Sequence, residues 1–160
     1  MSRILPLNEP AGSSPVRAEI GRKGEDLAAQ FLERQGYRLV TANFKAPVGR
    51  NSKGVQITGE IDLIALDGDT LCFIEVKTRS SEDFAPVITA VDRRKQRQIT
   101  RTARVYRKIF GLHDVSFRFD VVTVLRPDDR KPEIELKKGF WQESSFRKSS
   151  WNHQIWRDFA

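Results

Sequence analysis

Two short stretches hold the residues with the most chemical potential: Gly59-Glu60-Ile61-Asp62 and, further on, Glu75-Val76-Lys77. Carboxylates beside one ammonium are a set suited to holding a divalent cation against a phosphate. Carboxylates brought close repel, and burial raises the cost of keeping them ionised. A purely structural cluster would want a cation for each anion, and Lys77 supplies one. A Mg2+ or Mn2+ ion resolves the imbalance, because it takes one or two carboxylates, here Asp62 and Glu75, and leaves room for water and phosphate oxygens. It would acidify a water and neutralise phosphate charge, with Lys77 orienting that water and stabilising the developing anion. The plainer reading is an exposed strand end with a surface ion pair, worth little. On spacing alone the plainer reading stands ahead.

What positions these residues is a hairpin. Glu60–Leu66 and Thr70–Val76 are apolar runs separated by Asp67-Gly68-Asp69, a turn signal between strands. A type II′ turn on Gly68-Asp69 sets Leu66 opposite Leu71, Ile64 opposite Phe73, Asp62 opposite Glu75 and Glu60 opposite Lys77. Alternation then puts these eight on one face and Ile61, Leu63, Ala65, Cys72, Ile74 and Val76 on the other. A turn on Asp67-Gly68 shifts the pairing by two and keeps Asp62 with Glu75. Both faces are apolar for most of their length, which predicts central strands covered on both sides.

Around the hairpin, residues 1–18 are rich in Pro, Ser and Gly and read as a flexible segment. Glu19–Gln35 has helical spacing and Gly36 is a natural stop. Tyr37–Phe44 reads as a strand, and Lys45–Thr58 as a polar, basic, flexible loop whose last residues, Val55–Thr58, join the next strand. Thr89 with Asp92 resembles a capping box opening a helix that runs to about Phe110. Ser116–Leu125 is a core strand, and Glu133–Leu136 a short edge strand. The order is helix, three strands, helix, strand: an α/β fold whose mixed central sheet is flanked by helices. The domain boundaries expected are a flexible 1–18, a folded 19–138 and an aromatic, basic tail over 139–160.

The 160 residues suit one domain, and 28 Lys and Arg against 21 Asp and Glu give a basic chain. Such a balance favours polyanions, nucleic acid before anionic membrane. A single cysteine, Cys72, and two distant histidines, His113 and His153, exclude an intrachain disulfide and argue against a cysteine or histidine metal site. No long apolar run is present, so a soluble, cytoplasmic protein without membrane association is expected.

Gly59-Glu60-Ile61-Asp62-Leu63-Ile64-Ala65 followed by Phe73-Ile74-Glu75-Val76-Lys77-Thr78-Arg79 closely resembles the bacterial YraN family. Its members are predicted endonucleases with a restriction-endonuclease-like fold, distantly similar to archaeal Holliday-junction resolvases. Gly24-Glu25-x-x-Ala28, Ala90-Val91 with Lys95, and Arg118-Phe119-Asp120-Val121-Val122 match as well, so the resemblance spans roughly Ile20 to Leu125. It implies a PD-(D/E)xK core of order αβββαβ, the order read above. It also implies a metal site from Asp62 and Glu75, Lys77 as catalytic lysine, and Glu25 as a first-helix carboxylate at the metal or its waters. Glu60 is either a further ligand or the partner of Lys77. The chain departs from the family pattern in an expanded Lys45–Thr58 stretch and in its aromatic tail.

Lys95 has its own argument: Val91, Lys95, Ile99, Ala103 (or Thr102) and Tyr106 recur at helical spacing, so Lys95 lies on the stripe facing the sheet. It either snorkels outward or reaches toward the site and a phosphate. Asp120 reads as structural. Arg79, Arg93, Arg94, Arg97 and Arg101, together with Arg50 and Lys53, are candidate phosphate contacts. The expectation is a Mg2+- or Mn2+-dependent endonuclease, a phosphodiester hydrolase acting on DNA, with branched or damaged DNA as candidate substrates. By analogy with junction resolvases a homodimer is conceivable. The rival is a nucleic-acid-binding module that keeps the scaffold without efficient cleavage.

Overall fold

The computed structural model describes residues 23–79 and 91–146; the first 22 residues, Thr89, Ala90, Trp151 and Trp156 lie outside them. The chain forms α1 (Lys23–Arg34), β1 (Arg38–Arg50), β2 (Gln56–Asp67), β3 (Thr70–Arg79), α2 (Arg93–Ile109), β4 (Phe117–Leu125), β5 (Glu133–Trp141) and a short 3-10 helix, Glu143–Phe146. The strands make one sheet in the order β1-β2-β3-β4-β5. Crossing over through α2 makes β3 and β4 parallel, while the other neighbours are antiparallel. The expected α/β class and mixed sheet are present, with one helix packed on each face among the described residues.

Two apolar clusters sandwich the sheet. On one face Ala28, Ala29 and Leu32 of α1 meet Leu63, Ala65, Cys72, Ile74, Val122 and Val124. On the other, Ile99, Ala103 and Tyr106 of α2 meet Ile61, Ile64, Leu71, Phe73, Phe119, Val121 and Trp141. Each fully buried large apolar side chain contributes roughly 1.5–3 kcal/mol against exposure, so these faces fix where the helices lie. Closeness is set by two glycines. A Cβ on Gly24 would collide with Thr78 Oγ1, and one on Gly59 with Thr102 Oγ1. Helix α1 is thereby seated over the last residues of β3, and α2 over the first half of β2.

The hairpin register is as expected: Leu66 pairs with Leu71, Ile64 with Phe73 and Leu63 with Ile74. Gly68 has φ 58° while Asp69 has no positive φ, as a II′ rather than a I′ turn requires. Below Leu63 the extrapolation fails. The β2–β3 ladder stops at Leu63–Ile74, so Asp62–Glu75 and Glu60–Lys77 do not form as ladder pairs. Ile61 also packs on the α2 face rather than the α1 face, which corrects the strict alternation. Across from it Phe44 and Ala42 divide between the two faces in the same way. Between them Asn43 has φ 52°. Both strands therefore swap faces at the Asn43/Asp62 position.

Three further expectations are corrected. Most of Lys45–Thr58 is strand rather than loop, since β1 and β2 stay paired out to Arg50–Gln56; only the turn over 51–55 lies between them, and Gln56–Thr58 join β2 as expected. The cap of α2 is Asp92, whose Oδ1 accepts the Lys95 backbone N–H at 2.8 Å. Strand β5 runs past Leu136 to Trp141, whose ring stacks on Phe119 at 4.8 Å and whose Nε1 donates to Thr100 Oγ1. Trp141 thus belongs to the core and not to a tail beginning at 139. Asp120, expected to be structural, is fully buried and accepts bonds from Arg118, Tyr37 and the Gly139 N–H. No helix among the described residues is long and apolar enough to cross a membrane.

Candidate functional site

Where β2 peels away from β3, the Asp62 carboxylate takes over the main-chain pairing: its Oδ2 accepts the Val76 N–H at 2.8 Å. Asp62 is thus held against β3 between Glu75 and Lys77. Glu75 points to the α2 face and is 3% exposed. Its Oε1 meets Lys77 Nζ at 3.2 Å and Lys95 Nζ, from the first turn of α2, at 3.7 Å. Its Oε2 is buried without a hydrogen-bond partner. Burial first, and the Asp62 charge second, push the Glu75 carboxyl up to about 7 despite both lysines. The two ammoniums are therefore insufficient, and one buried lone-pair edge stays unmet.

That orphaned oxygen is the test of fit for a metal. Among the described residues no three His, Cys, Asp or Glu side chains converge into a cage. The donors on offer are a pair, Asp62 and Glu75, as Mg2+ and Mn2+ accept when water and phosphate complete the shell. A cation at Oε2 would satisfy the buried edge and favour the ionised carboxylate. The pair fits.

The other candidates divide. Glu25 sits one residue from the Gly24–Thr78 contact and is buried at the same end of the sheet. Lys95 reaches Glu75 while its side chain stays half-buried. Glu60 is half-buried, and Lys77 pairs with Glu75 instead of with it. Arg79 closes β3, its carbonyl accepting the Arg126 N–H at 2.7 Å. The basic helix is not one surface. Arg93 and Arg97 stack over Phe146 at 5.1 and 5.8 Å, and Arg104 and Arg107 bind Glu143. Sequence reasoning missed this strap, whose signal is an acid and an aromatic (Glu143, Phe146) three apart just after a strand. Arg94 and Arg101 remain exposed.

A pH dependence of stability follows. Glu75's folded pKa lies above its ordinary 4.5, so the folded state retains the proton longer than the unfolded chain. The favourable contribution is full below about pH 4.5 and is lost as pH rises through 7. Without divalent metal, urea denaturation of wild type and Glu75→Gln should diverge across this window. The wild type should fall behind by about 3 kcal/mol at most. Parallel stability curves would refute the assignment.

A model described as "Uncharacterised protein family UPF0102" matches residues 24–124. A UPF0102 protein of Koribacter versatilis is 39% identical over 136 residues, covering 85% of this chain and 88% of that protein. One from Geobacter sulfurreducens is 43% identical over 133 residues, covering 82% and 92%. One from Prosthecochloris aestuarii is 37% identical over 136 residues, covering 81% and 99%. The crystal structure of SSO0001 is similar at 16% identity over 74% of this chain and 50% of that one, with a TM-score of 0.33. A likeness of that size carries no argument.

Proposed function

The chain belongs to the uncharacterised protein family UPF0102, and we propose that it is a divalent-metal-dependent endonuclease that hydrolyses phosphodiester bonds in DNA. One observation carries the reading: the buried Glu75 carboxylate, held between Lys77 and Lys95, has an orphaned Oε2 while Asp62 is fixed beside it. Asp62 and Glu75 would hold Mg2+ or Mn2+, with Glu25 near the same end of the sheet to bind its waters. A bound ion would supply Lewis-acid stabilisation of phosphate charge and acidify water.

The chain's own groups do the rest. Lys77 projects beside Glu75 where β3 leaves the ladder, half-exposed, and so faces both carboxylate and solvent. It orients the attacking water and stabilises charge on the phosphate oxygens as the water oxygen bonds to phosphorus and the ester P–O bond breaks. Lys95 fixes the Glu75 rotamer from the opposite element. The attacking water gives its proton to solvent, and the leaving alkoxide takes one from solvent, at the open end of the sheet.

The test is cleavage of labelled four-way junction, flap, single-stranded and duplex DNA with Mn2+ or with EDTA. Cutting that requires Mn2+ and disappears in Glu75→Ala is expected. DNA binding with no cutting of any substrate would overturn the enzyme reading in favour of a binding module.

A further inference from the structure

The arm formed by the ends of β1 and β2 has no part in the core. Beyond the Ala46–Gly59 pair it continues to Arg50–Gln56, four residues or about 13 Å at strand rise. Its root is fastened to α2, since Gln98 Nε2 donates to the Thr58 carbonyl at 3.2 Å and Thr102 presses on Gly59. Its tip, Gly49–Gln56, is exposed throughout, yet it is built. Asn51 Oδ1 accepts the Lys53 and Val55 N–H groups, each at 2.9 Å, and Arg50 donates to the Gly54 carbonyl at 2.7 Å. An exposed loop that spends its polar groups on holding its own shape is preorganised for a partner.

The chemistry of that partner is legible. From Lys45 to Gly59 there are three cations, Lys45, Arg50 and Lys53, and no acid. Val55, at the tip, is 59% exposed. Arg94 and Arg101 lie one helical turn on either side of Gln98, so they flank the arm's root. Neither has a partner among the described residues, unlike Arg93, Arg97, Arg104 and Arg107, which the Glu143–Phe146 strap engages. Because β2 runs antiparallel to β3, the arm leaves the sheet at the end that carries Glu75 and Lys77.

We infer that the β1–β2 arm is a DNA grip: a β-ribbon that enters a groove of duplex DNA beside the Asp62/Glu75 site, with Arg94 and Arg101 on the adjoining backbone. A major groove about 12 Å wide admits a two-stranded ribbon. Arg50 and Lys53 meet its phosphate walls, and Val55 its apolar base edges or sugars. The inference rests on the proposed reading that DNA is the substrate, and it names the element that holds it.

The experiment is fluorescence anisotropy of a short labelled duplex in EDTA, over a salt series. The proteins are wild type, Arg50→Glu/Lys53→Glu, Lys53→Glu alone, Arg94→Glu/Arg101→Glu, and the strap-side Arg93→Ala/Arg97→Ala. Lys53 makes no side-chain bond at the tip, so its single variant keeps the test valid should the double variant disturb the arm. The arm variants should bind at least ~30-fold and ~5-fold more weakly, and the double variant should lose about 2 units of the log Kd–log salt slope. Arg94→Glu/Arg101→Glu should also weaken binding at least ~30-fold, whereas the strap-side variant should change by less than about 3-fold. Far-UV circular dichroism should be unchanged in every one of them, so that lost binding is not lost folding. Wild-type protein that binds no duplex would sink the substrate reading. Wild-type binding with arm variants unchanged, or arm variants that lose only anionic vesicles or an acidic polypeptide, would sink the grip alone.

Discussion

Lys77→Met is expected to lower Mn2+-dependent DNA cleavage by about 10²–10⁴-fold, the range of a lost acid–base or charge-stabilising group, with duplex affinity nearly unchanged. Lys77 Nζ lies 3.2 Å from Glu75 Oε1 and its side chain is half-exposed, so it touches the carboxylate and the space where a phosphate would lie. Removing it takes one of the two cations that lower the Glu75 pKa, which shifts the proton-binding limb of the pH–rate profile upward. Lys77→Arg keeps the charge but puts a wide planar fork where a point charge stood, and should recover little of the rate. Lys95→Met is the comparison. Its Nζ is farther from Glu75, at 3.7 Å, so it should mainly move the pH profile. The measurement is single-turnover cleavage from pH 6 to 9 beside Kd in EDTA. A loss under about 3-fold would remove Lys77 from the mechanism.

The second large effect lies at the other end of the sheet and concerns stability. Arg118 joins Asp120 at 2.7 Å, Asp67 at 2.8 Å and the Tyr37 hydroxyl at 2.9 Å. One guanidinium thereby ties the β2–β3 turn, β4 and the start of β1. The Asp120 hydrogen bond, above all, drives the Arg118 pKa upward, so the guanidinium stays charged across the working pH range. Asp120 is fully buried. Arg118→Met would leave its carboxylate with only the Tyr37 hydroxyl and the Gly139 N–H. Stranding one half of a buried pair costs about 3–5 kcal/mol, or roughly 10 °C in Tm for a chain of this size. Arg118→Met/Asp120→Leu, which removes both charges, should regain much of the loss, because apolar replacement of a whole buried pair is often neutral. Thermal melts of the single and double variants decide it. A single variant within about 1 kcal/mol of wild type would show the network to be ornamental.

The parts legible in the sequence are those where local pattern and tertiary packing agree. Gly68-Asp69 set the turn and register from Leu63 to Asp67, and Ile99, Ala103 and Tyr106 announced the buried stripe of α2, with Val91 buried just before its cap. That stripe put Lys95 on the sheet-facing side of the helix and left open whether it snorkels outward; its contact with Glu75 came from the structure. What stayed hidden depends on backbone irregularity. Asn43 adopts a left-handed conformation opposite Asp62, and no periodicity announces a place where two strands change faces together. The arm read as a loop because its residues are polar and gain their strand state from pairing with one another, not from a buried face. Trp141 was lost behind Lys137-Lys138-Gly139, where positive φ at Gly139 and a shift of register opposite β4 break the alternation. The family was legible as a resemblance and is confirmed; the chemistry of its site rests on the proposal.

The spatial order of the strands repeats their order along the chain, and this has a consequence for how the molecule forms. The β1–β2–β3 meander closes by short hairpins with little loss of chain entropy, so it can assemble early. The parallel β3–β4 pair alone must enclose a whole helix before its first ladder bond is made. Glu75 and Lys77 sit on that pair, and Lys95 on the enclosed helix. The slowest closure in the chain is therefore also the step that completes the site. A nascent or partly folded chain would carry the arm and its cations well before it carried the Glu75–Lys77–Lys95 cluster.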